Sequence, residues 1–520
     1  MRFDQQIYMN QDLITEIINE CWPEDGKDTL AGVEDVKLFY NRCYDSSFQR
    51  LHNLVDSFHP GSCIVVAYAQ LEYWTAIFYE ITPGPTSIAG QCRYGWRYVV
   101  ERSLDNLKNG TVSDTTEINQ QKIEEIFTLI VIGLQCAELS NYLHYLPLTF
   151  QSVSIDKMPT ALSGFPRLND KESRTWSVQR EYIGKRRDLA QFEGRFSPSV
   201  NPDFQKDLNT FLSDFCNFNL EVVGSVIQHI GAISSFYNAS IIVQPFEQFV
   251  DLLLKMTKLP RQVVESIIMF SFISTRNPFH QSREVLKRSQ SIRLLNFPGI
   301  IVELDKNLHS IYGSDADKPY ITGTKVHVIV SPLLLSDWLN LFPYRMAFGQ
   351  RSDLKGINDN FKKALSVLEN RFKQDIFEFQ VAEIYRQHGY VCIKLKKVNG
   401  KEIPCGEIDI IAFNPSTSSL VVTECKIHAP ILDAKYMRQV ILDHFEQKNY
   451  HAKFLKKINW VSQNAIIIKD QFKQHHGVVI PEVYSLTAQF ITWSPSIIKF
   501  MVKEYEVLTY DELDKLLKQV

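Results

Sequence analysis

Two β-rich runs, Gly406-Glu407-Ile408-Asp409-Ile410-Ile411-Ala412-Phe413 and Leu420-Val421-Val422-Thr423-Glu424-Cys425-Lys426, flank the turn-rich Asn414-Pro415-Ser416-Thr417-Ser418-Ser419. Apolar runs around such a cluster read as a hairpin with a longer loop. Symmetric closure puts Phe413 opposite Leu420 and, counting back along the ladder, Asp409 opposite Glu424. Side chains alternate across a strand, so Glu407, Asp409, Glu424 and Lys426 are expected on one face. Ile408, Ile410, Ala412, Val421, Thr423 and Cys425 take the other.

Directly opposed residues have Cβ atoms about 4.5–5.5 Å apart, where like charges repel. A cation between Asp409 and Glu424 is therefore expected. Mg²⁺ or Mn²⁺ fits two carboxylates that share the ion with phosphate oxygens and water. Lys426, two residues beyond Glu424 and about 6–7 Å along the strand, can reach a phosphate or a metal-bound water. The pattern suits cleavage of a phosphodiester. The competing reading is a solvated face on which Lys426 salt-bridges Glu407.

At GEID, ending at Asp409, and ECK, Glu424 to Lys426, the chain resembles the PD-(D/E)XK nuclease superfamily, with Ile408 where the family's name places proline. Phe377-Glu378, eleven residues before Gly389-Tyr390, resembles the first core helix of Mrr-like members. The resemblance runs from about Gly356 to the C-terminus. It implies a restriction-endonuclease-like α/β domain with a central mixed sheet, and metal-dependent phosphodiester hydrolysis by Asp409, Glu424, Lys426 and Glu378. It implies Mg²⁺ or Mn²⁺ held by Asp409, Glu424 and the backbone carbonyl of Cys425. Gln439 and Lys435, on a following helix, are expected near the substrate phosphate. An endonuclease acting on DNA in preference to RNA is the expectation, with RNA and exonucleolytic cleavage left open by the sequence, and the resemblance alone implies a place in prokaryotic defence. On the helix of Glu378, Glu383 is a competing acid.

The chain has 520 residues, 45% hydrophobic and 22% charged, with a formal net charge of −3. That length points to several domains, each able to bury a core. From Arg351 to the end there are 24 Lys and Arg against 20 Asp and Glu, which leaves 32 against 39 of the totals of 56 and 59 for the first 350 residues. A mildly basic end on an acidic scaffold suits a module that contacts nucleic acid. Lys394, Lys396 and Lys397, then Lys453, Lys456 and Lys457, are its candidate phosphate contacts. Nine scattered cysteines without Cys-x-x-Cys or zinc spacing, and no secretory pattern at the start, fit reduced thiols in a cytoplasmic protein. The apolar stretches 63–81 and 123–134 read as buried helices, and no membrane span is expected.

In order, residues 1–295 read as a mainly helical domain, 296–350 as a small β-containing connector and 351–520 as the nuclease-like domain. Arg174, Trp176, Arg180, Tyr182, Lys185, Arg186 and Arg187 interleave basic and aromatic residues, a pattern shared by base-stacking surfaces and by ordinary helices whose basic stems cover apolar surface. Leu286 to Leu295 is a basic helix. In the last domain, one helix runs to Asn370 and another starts at Asp375. Tyr390 to Val398 is a strand closed by Asn399-Gly400, a strong hairpin signal. Ala434 to Lys457 reads as one helix, Val478 to Tyr484 and Phe490 to Trp493 as strands, and Tyr510 to Leu517 as a closing helix. No Walker A pattern occurs. A different class of function stays open, a catalytically inactive nucleic-acid-binding or sensor protein on the same fold. The helical part would serve as a scaffold for a protein partner or a homo-oligomer.

Overall fold

The computed structural model describes residues 7–23, 29–30, 32–110, 113, 115, 117–145, 153–154, 178, 201–236, 240–274, 298–304, 325–348, 359–428 and 434–519. These residues form a mainly helical region followed by a C-terminal mixed sheet of five strands flanked by helices. The chain divides into two compact units; of the described residues, those within 7–143, 153–154 and 206–366 belong to the first, and 144–145, 178, 201–205 and those from Val367 onward to the second. The basic and aromatic run from Arg174 to Arg187 and the expected helix from Leu286 to Leu295 lie outside the described residues.

In the first unit, helices α1 (Gln11–Cys21), α2 (Val33–Asp56), α3 (Pro60–Phe78), α4 (Thr86–Asn109) and α5 (Gln120–Tyr145) share one apolar core. Helix α3 carries a proline at its first turn, and nearly its whole length is buried, so it is the central rod of the bundle. Helix α4 approaches α5 closely at Gly95, where a Cβ would stand 2.0 Å from Ile130 Cγ2. By length and composition α5 could cross a membrane, yet Ile126, Phe127, Leu129 and Ile130 are packed in the core, where Phe127 stacks on Trp74.

Strands β1 (Ile242–Pro245), β2 (Ile273–Ser274), β3 (Gly299–Leu304) and β4 (Lys325–Val330) form a four-stranded sheet in the order β1-β4-β3-β2. Within the stretch 296–350 expected as a connector, the strands 299–304 and 325–330 therefore do not stand apart from the preceding region. They pair with 242–245 and 273–274 of the preceding helical region, because an isolated hairpin would leave its edges unpaired. Helix α6 (Pro332–Ala347) follows β4, capped by Ser331. A carboxylate from α3 completes that cap, since Glu72 accepts the Ser331 hydroxyl and the Leu333 N–H, the latter at 2.9 Å.

In the second unit a π-helical segment, Arg371–Ile376, leads directly into α7 (Phe377–Gln387). The expected start at Asp375 is thus replaced by continuous helix, with Asp375 paired to Arg371 at 3.0 Å instead of capping. Strands β5 (Val391–Leu395), β6 (Ile408–Asn414) and β7 (Ser419–Lys426) are antiparallel; β8 (Ser485–Thr492) and β9 (Glu506–Thr509) add in parallel beyond β7. The Asn399-Gly400 signal does make a hairpin, with Val398 paired to Lys401 and both turn residues at positive φ.

Helices α8 (Ala434–Phe445), α9 (Tyr450–Gln463) and α10 (Ala465–His476) replace the single helix expected over 434–457. Asn449 breaks it, adopting φ 49° and accepting the Ala452 N–H as N-cap. The strand expected at 478–484 is absent as well. Val479 and Val483 are exposed, Pro481 has no N–H to give a ladder, and pairing begins at Ser485 beside Ser419. Phe454, Val461, Ile468 and Phe472 pack with Ile411, Phe413, Leu420 and Val422 in one core. Helix α11 (Tyr510–Leu517) closes the unit with a capping box at Thr509.

Candidate active site

Phe413 faces Leu420, and the ladder of β6 and β7 runs back to Ile410 opposite Thr423. Asp409 is the next position on β6 and Glu424 the next on β7. On its other side β6 pairs with β5 through a bulge: Ile411 faces Ile393 but Ile408 faces Leu395, so β6 carries one residue more than its partner. The extra residue interrupts alternation at Asp409 and Ile410. Ile408 consequently joins Ile411 and Phe413 in the same core and does not share a face with Ile410 and Ala412, as strict alternation would have it. The bulge re-aims Asp409, whose Oδ2 accepts the N–H of Cys425 at 2.8 Å.

Around this point several charged groups converge. Lys426 Nζ lies 2.6 Å from Glu424 Oε1, 3.8 Å from Asp409 Oδ2 and 3.0 Å from the Cys425 carbonyl oxygen. Three oxygens of three residues thus surround one cationic nitrogen. Asp409 and Glu424 are 7% and 6% exposed, so neither charge is relieved by bulk water. Burial, then the Glu424 carboxylate, raises the Asp409 pKa against the opposing pull of Lys426, Lys457 and the Cys425 N–H. For Lys426, burial opposes the charge, but Glu424 and Asp409 outweigh it and hold the ammonium above its ordinary range.

Glu378, at the start of α7, is half-buried and paired with Lys394 at 2.5 Å. Burial and the Asp409 carboxylate push its pKa up to about 7, against Lys394 and Lys426. Lys394 also reaches Glu407 at 2.7 Å, and Lys396 lies 3.5 Å from the same carboxylate. Glu407 is therefore paired with Lys394 of β5 and Lys396 just after it, and the Lys426–Glu407 bridge of the competing reading does not form. Glu383 is bound to Arg386 and exposes its pair to solvent.

Lys457, expected from its charge among the phosphate contacts, belongs instead to the buried cluster. Among the expected phosphate contacts, Lys453 and Lys456 are exposed, but Lys457 is buried and its Nζ is bonded to Glu424 Oε2. The signal was the spacing of Phe454, Lys457 and Val461, which sets the lysine on the buried stripe of α9. Gln439 is not joined to the carboxylates. It is exposed, and its amide donates to Asp443 at 2.7 Å and Gln447 at 2.9 Å. Lys435 and Lys396 are exposed and free of the central cluster.

Two further groups lie beside the cluster. Burial, then the Lys426 charge, lowers the His428 pKa to about 4. Tyr385 of α7 is fully buried beneath β7 and bonds Thr423 Oγ1 at 2.8 Å and Gln489 Oε1 at 2.5 Å, which fixes helix to sheet just behind Glu424.

Among the described residues no three His, Cys, Asp or Glu side chains stand together as a metal-binding group. The oxygen set that converges on Lys426 is two carboxylates and one carbonyl, hard donors of the kind Mg²⁺ takes while keeping several waters. In chemical type, the residues present fit that ion. In comparisons with known proteins, no family model, no curated protein and no solved structure matches this chain.

Proposed function

We propose that the second unit is a metal-dependent nuclease of the PD-(D/E)XK type that hydrolyses phosphodiester bonds, in DNA before RNA. The observation that carries this reading is the convergence of Asp409 Oδ2, Glu424 Oε1 and the Cys425 carbonyl on the Lys426 ammonium at the end of a bulged strand pair. Asp409, Glu424 and the Cys425 carbonyl would hold Mg²⁺ or Mn²⁺, and when bound the ion supplies Lewis-acid polarisation of the phosphate and a water of lowered pKa.

The chain's own residues divide the remaining work. Lys426, held charged by its carboxylate neighbours, offers its ammonium to a phosphoryl oxygen and is not a general base. Glu378 of α7, near enough to feel the Asp409 charge, would orient water by hydrogen bonding. The Cys425 N–H fixes the Asp409 carboxylate, so that it needs little reorganisation on loading. Lys394 keeps Glu378 and Glu407 from repelling the substrate, and exposed Lys396, Lys435, Lys453 and Lys456 are available to backbone phosphates. The helical unit would regulate this activity or dock a partner, and defence against foreign DNA is the setting carried by the resemblance alone.

One observation favours a second reading. Glu424 is met by two lysines, Lys426 on one oxygen and Lys457 on the other, which neutralise the carboxylate pair without a metal. A self-satisfied ion cluster of this kind suits a nuclease fold that binds nucleic acid but no longer cuts it. The decisive experiment incubates the full chain and Asp409→Ala with supercoiled plasmid, linear duplex, single-stranded DNA and RNA, in Mg²⁺, Mn²⁺ or EDTA. Cutting by the parent with metal, and by neither protein in EDTA nor by the variant, supports the nuclease. Nucleic-acid binding by the parent without cutting of any substrate selects the second reading.

A further inference from the structure

The helical unit buries a guanidinium, two of whose nitrogens find no hydrogen-bond partner among the described residues. These are Nε and Nη1 of Arg97 on α4, a residue 4% exposed. Arg93, one turn earlier on the same face, is also buried. Its Nη2 donates to Asp337 Oδ2 of α6 at 2.6 Å, while the Tyr79 hydroxyl donates to Asp337 Oδ1. That carboxylate is thus turned toward Arg93 and Tyr79. Arg345 of α6 and Tyr68 of α3 also lie close enough to act on Arg97 through charge.

Burial, then Arg93, against partial relief from Asp337, pulls Arg97 well below the ordinary guanidinium range. Arginine does not surrender its proton in proteins, so the strain is relieved by an anion and not by deprotonation. Most of the other unsatisfied buried groups on these helices are donors too, Gln70 Oε1 of α3 being an acceptor among them. Among the described residues, Trp96 Nε1 on α4 and Trp338 Nε1 on α6 are buried donors without an acceptor, as is Arg93 Nε. A group with many acceptor oxygens and negative charge is what these helices lack.

We propose that the helical unit binds a phosphate-bearing small molecule between α3, α4 and α6, with Arg97 gripping its phosphoryl oxygens and Arg93 beside it. The planar guanidinium fork matches phosphate in a two-point contact, and two adjacent arginines suit a dianion better than a single carboxylate. Trp96 is 0% and Trp338 2% exposed, so the ligand is a small molecule and not the backbone of a polymer lying on the surface. This inference does not depend on the nuclease reading.

Thermal unfolding of the full chain tests it, in inorganic phosphate or pyrophosphate, with sodium chloride at matched ionic strength and succinate as controls. Saturable stabilisation by phosphate or pyrophosphate, by about 5 °C at roughly 100 times the dissociation constant, is the expected result. Arg97→Met should abolish that response while melting no lower than the parent without ligand, because it removes an uncompensated buried charge. Should Arg97→Met fail to fold, Arg97→Lys carries the test: it keeps the charge, loses the fork and should need at least about tenfold more phosphate. No shift beyond chloride, a full shift in the Arg97 variant that folds, or a response to succinate alone overturns the proposal.

Discussion

Glu424 on β7 and Lys457 on α9 form a buried ion pair, with side chains 8% and 9% exposed, that ties the end of the central strand to the helix covering it. Breaking such a pair from one side leaves an uncompensated charge at about 3–5 kcal/mol. Because Lys426 still contacts Glu424, Lys457→Met should cost about 3 kcal/mol, at the lower end of that range. Urea unfolding followed by a probe in the second unit measures it. The double variant with Glu424→Gln should recover part of the loss, and strict additivity would show that the two residues do not interact.

Asp409→Asn and Glu424→Gln each remove an anionic oxygen from the set around Lys426. If that set holds the catalytic metal, cleavage should fall more than about 100-fold in each variant, beyond what loss of an outer partner costs. Glu378→Gln, which changes only such an outer partner, should fall about 10–100-fold. Initial rates on the preferred substrate at saturating Mg²⁺ separate the two classes.

Glu72 in the helical unit has a pKa raised by burial to about 7, against hydrogen bonds from Ser331 and from the Leu333 and Leu334 backbone. Its folded value lies above the unfolded value of about 4.3. Folding therefore takes up a proton, and this contribution is fully present below about pH 4.3 and is lost as pH rises through about 7. Glu72→Gln should flatten that fall, so the variant gains on the parent between pH 5 and pH 8, by an amount on the order of 3 kcal/mol. Chemical denaturation across that window reads it, and parallel curves for the two proteins would contradict the shift.

Tyr385→Phe removes the hydroxyl that joins α7 to Thr423 and Gln489. Both partners are buried, so the cost should be roughly 1–3 kcal/mol, with little change in the core packing of the ring. Differential scanning calorimetry gives the loss. Slower cleavage as well would show that the strand behind Glu424 must be held to keep the site in register.

What was legible in the sequence was local. The Asn399-Gly400 hairpin and the Phe413–Leu420 register follow from turn chemistry and from short-range alternation. The bulge at Asp409 was not, because it arises from pairing with β5, a strand thirteen or more residues away. Strand β8 was misplaced for a related reason. Its start is set by a parallel partner, Ser419, and not by the apolar Val478–Tyr484 run that precedes it. Lys457 and Arg97 were hidden by their type: a basic residue in a helix reads as solvated until the stripe on which it falls is compared with its neighbours. The four-stranded sheet of the first unit joins segments more than eighty residues apart, which no local pattern reveals.

The bulge in β6 separates what the sheet needs from what the site needs. A deletion of Ile410 would bring β6 and β5 back to equal length between Ile408 and Ile411, and the ladder could close in regular alternation. The residue before Ile411 would then be Asp409 itself, moved one step along the strand and turned to the opposite face. Such a chain would keep its sheet and lose the oxygen that meets the Cys425 N–H. The single supernumerary residue acts as a phase marker, holding the chemistry half a repeat out of step with the architecture that carries it.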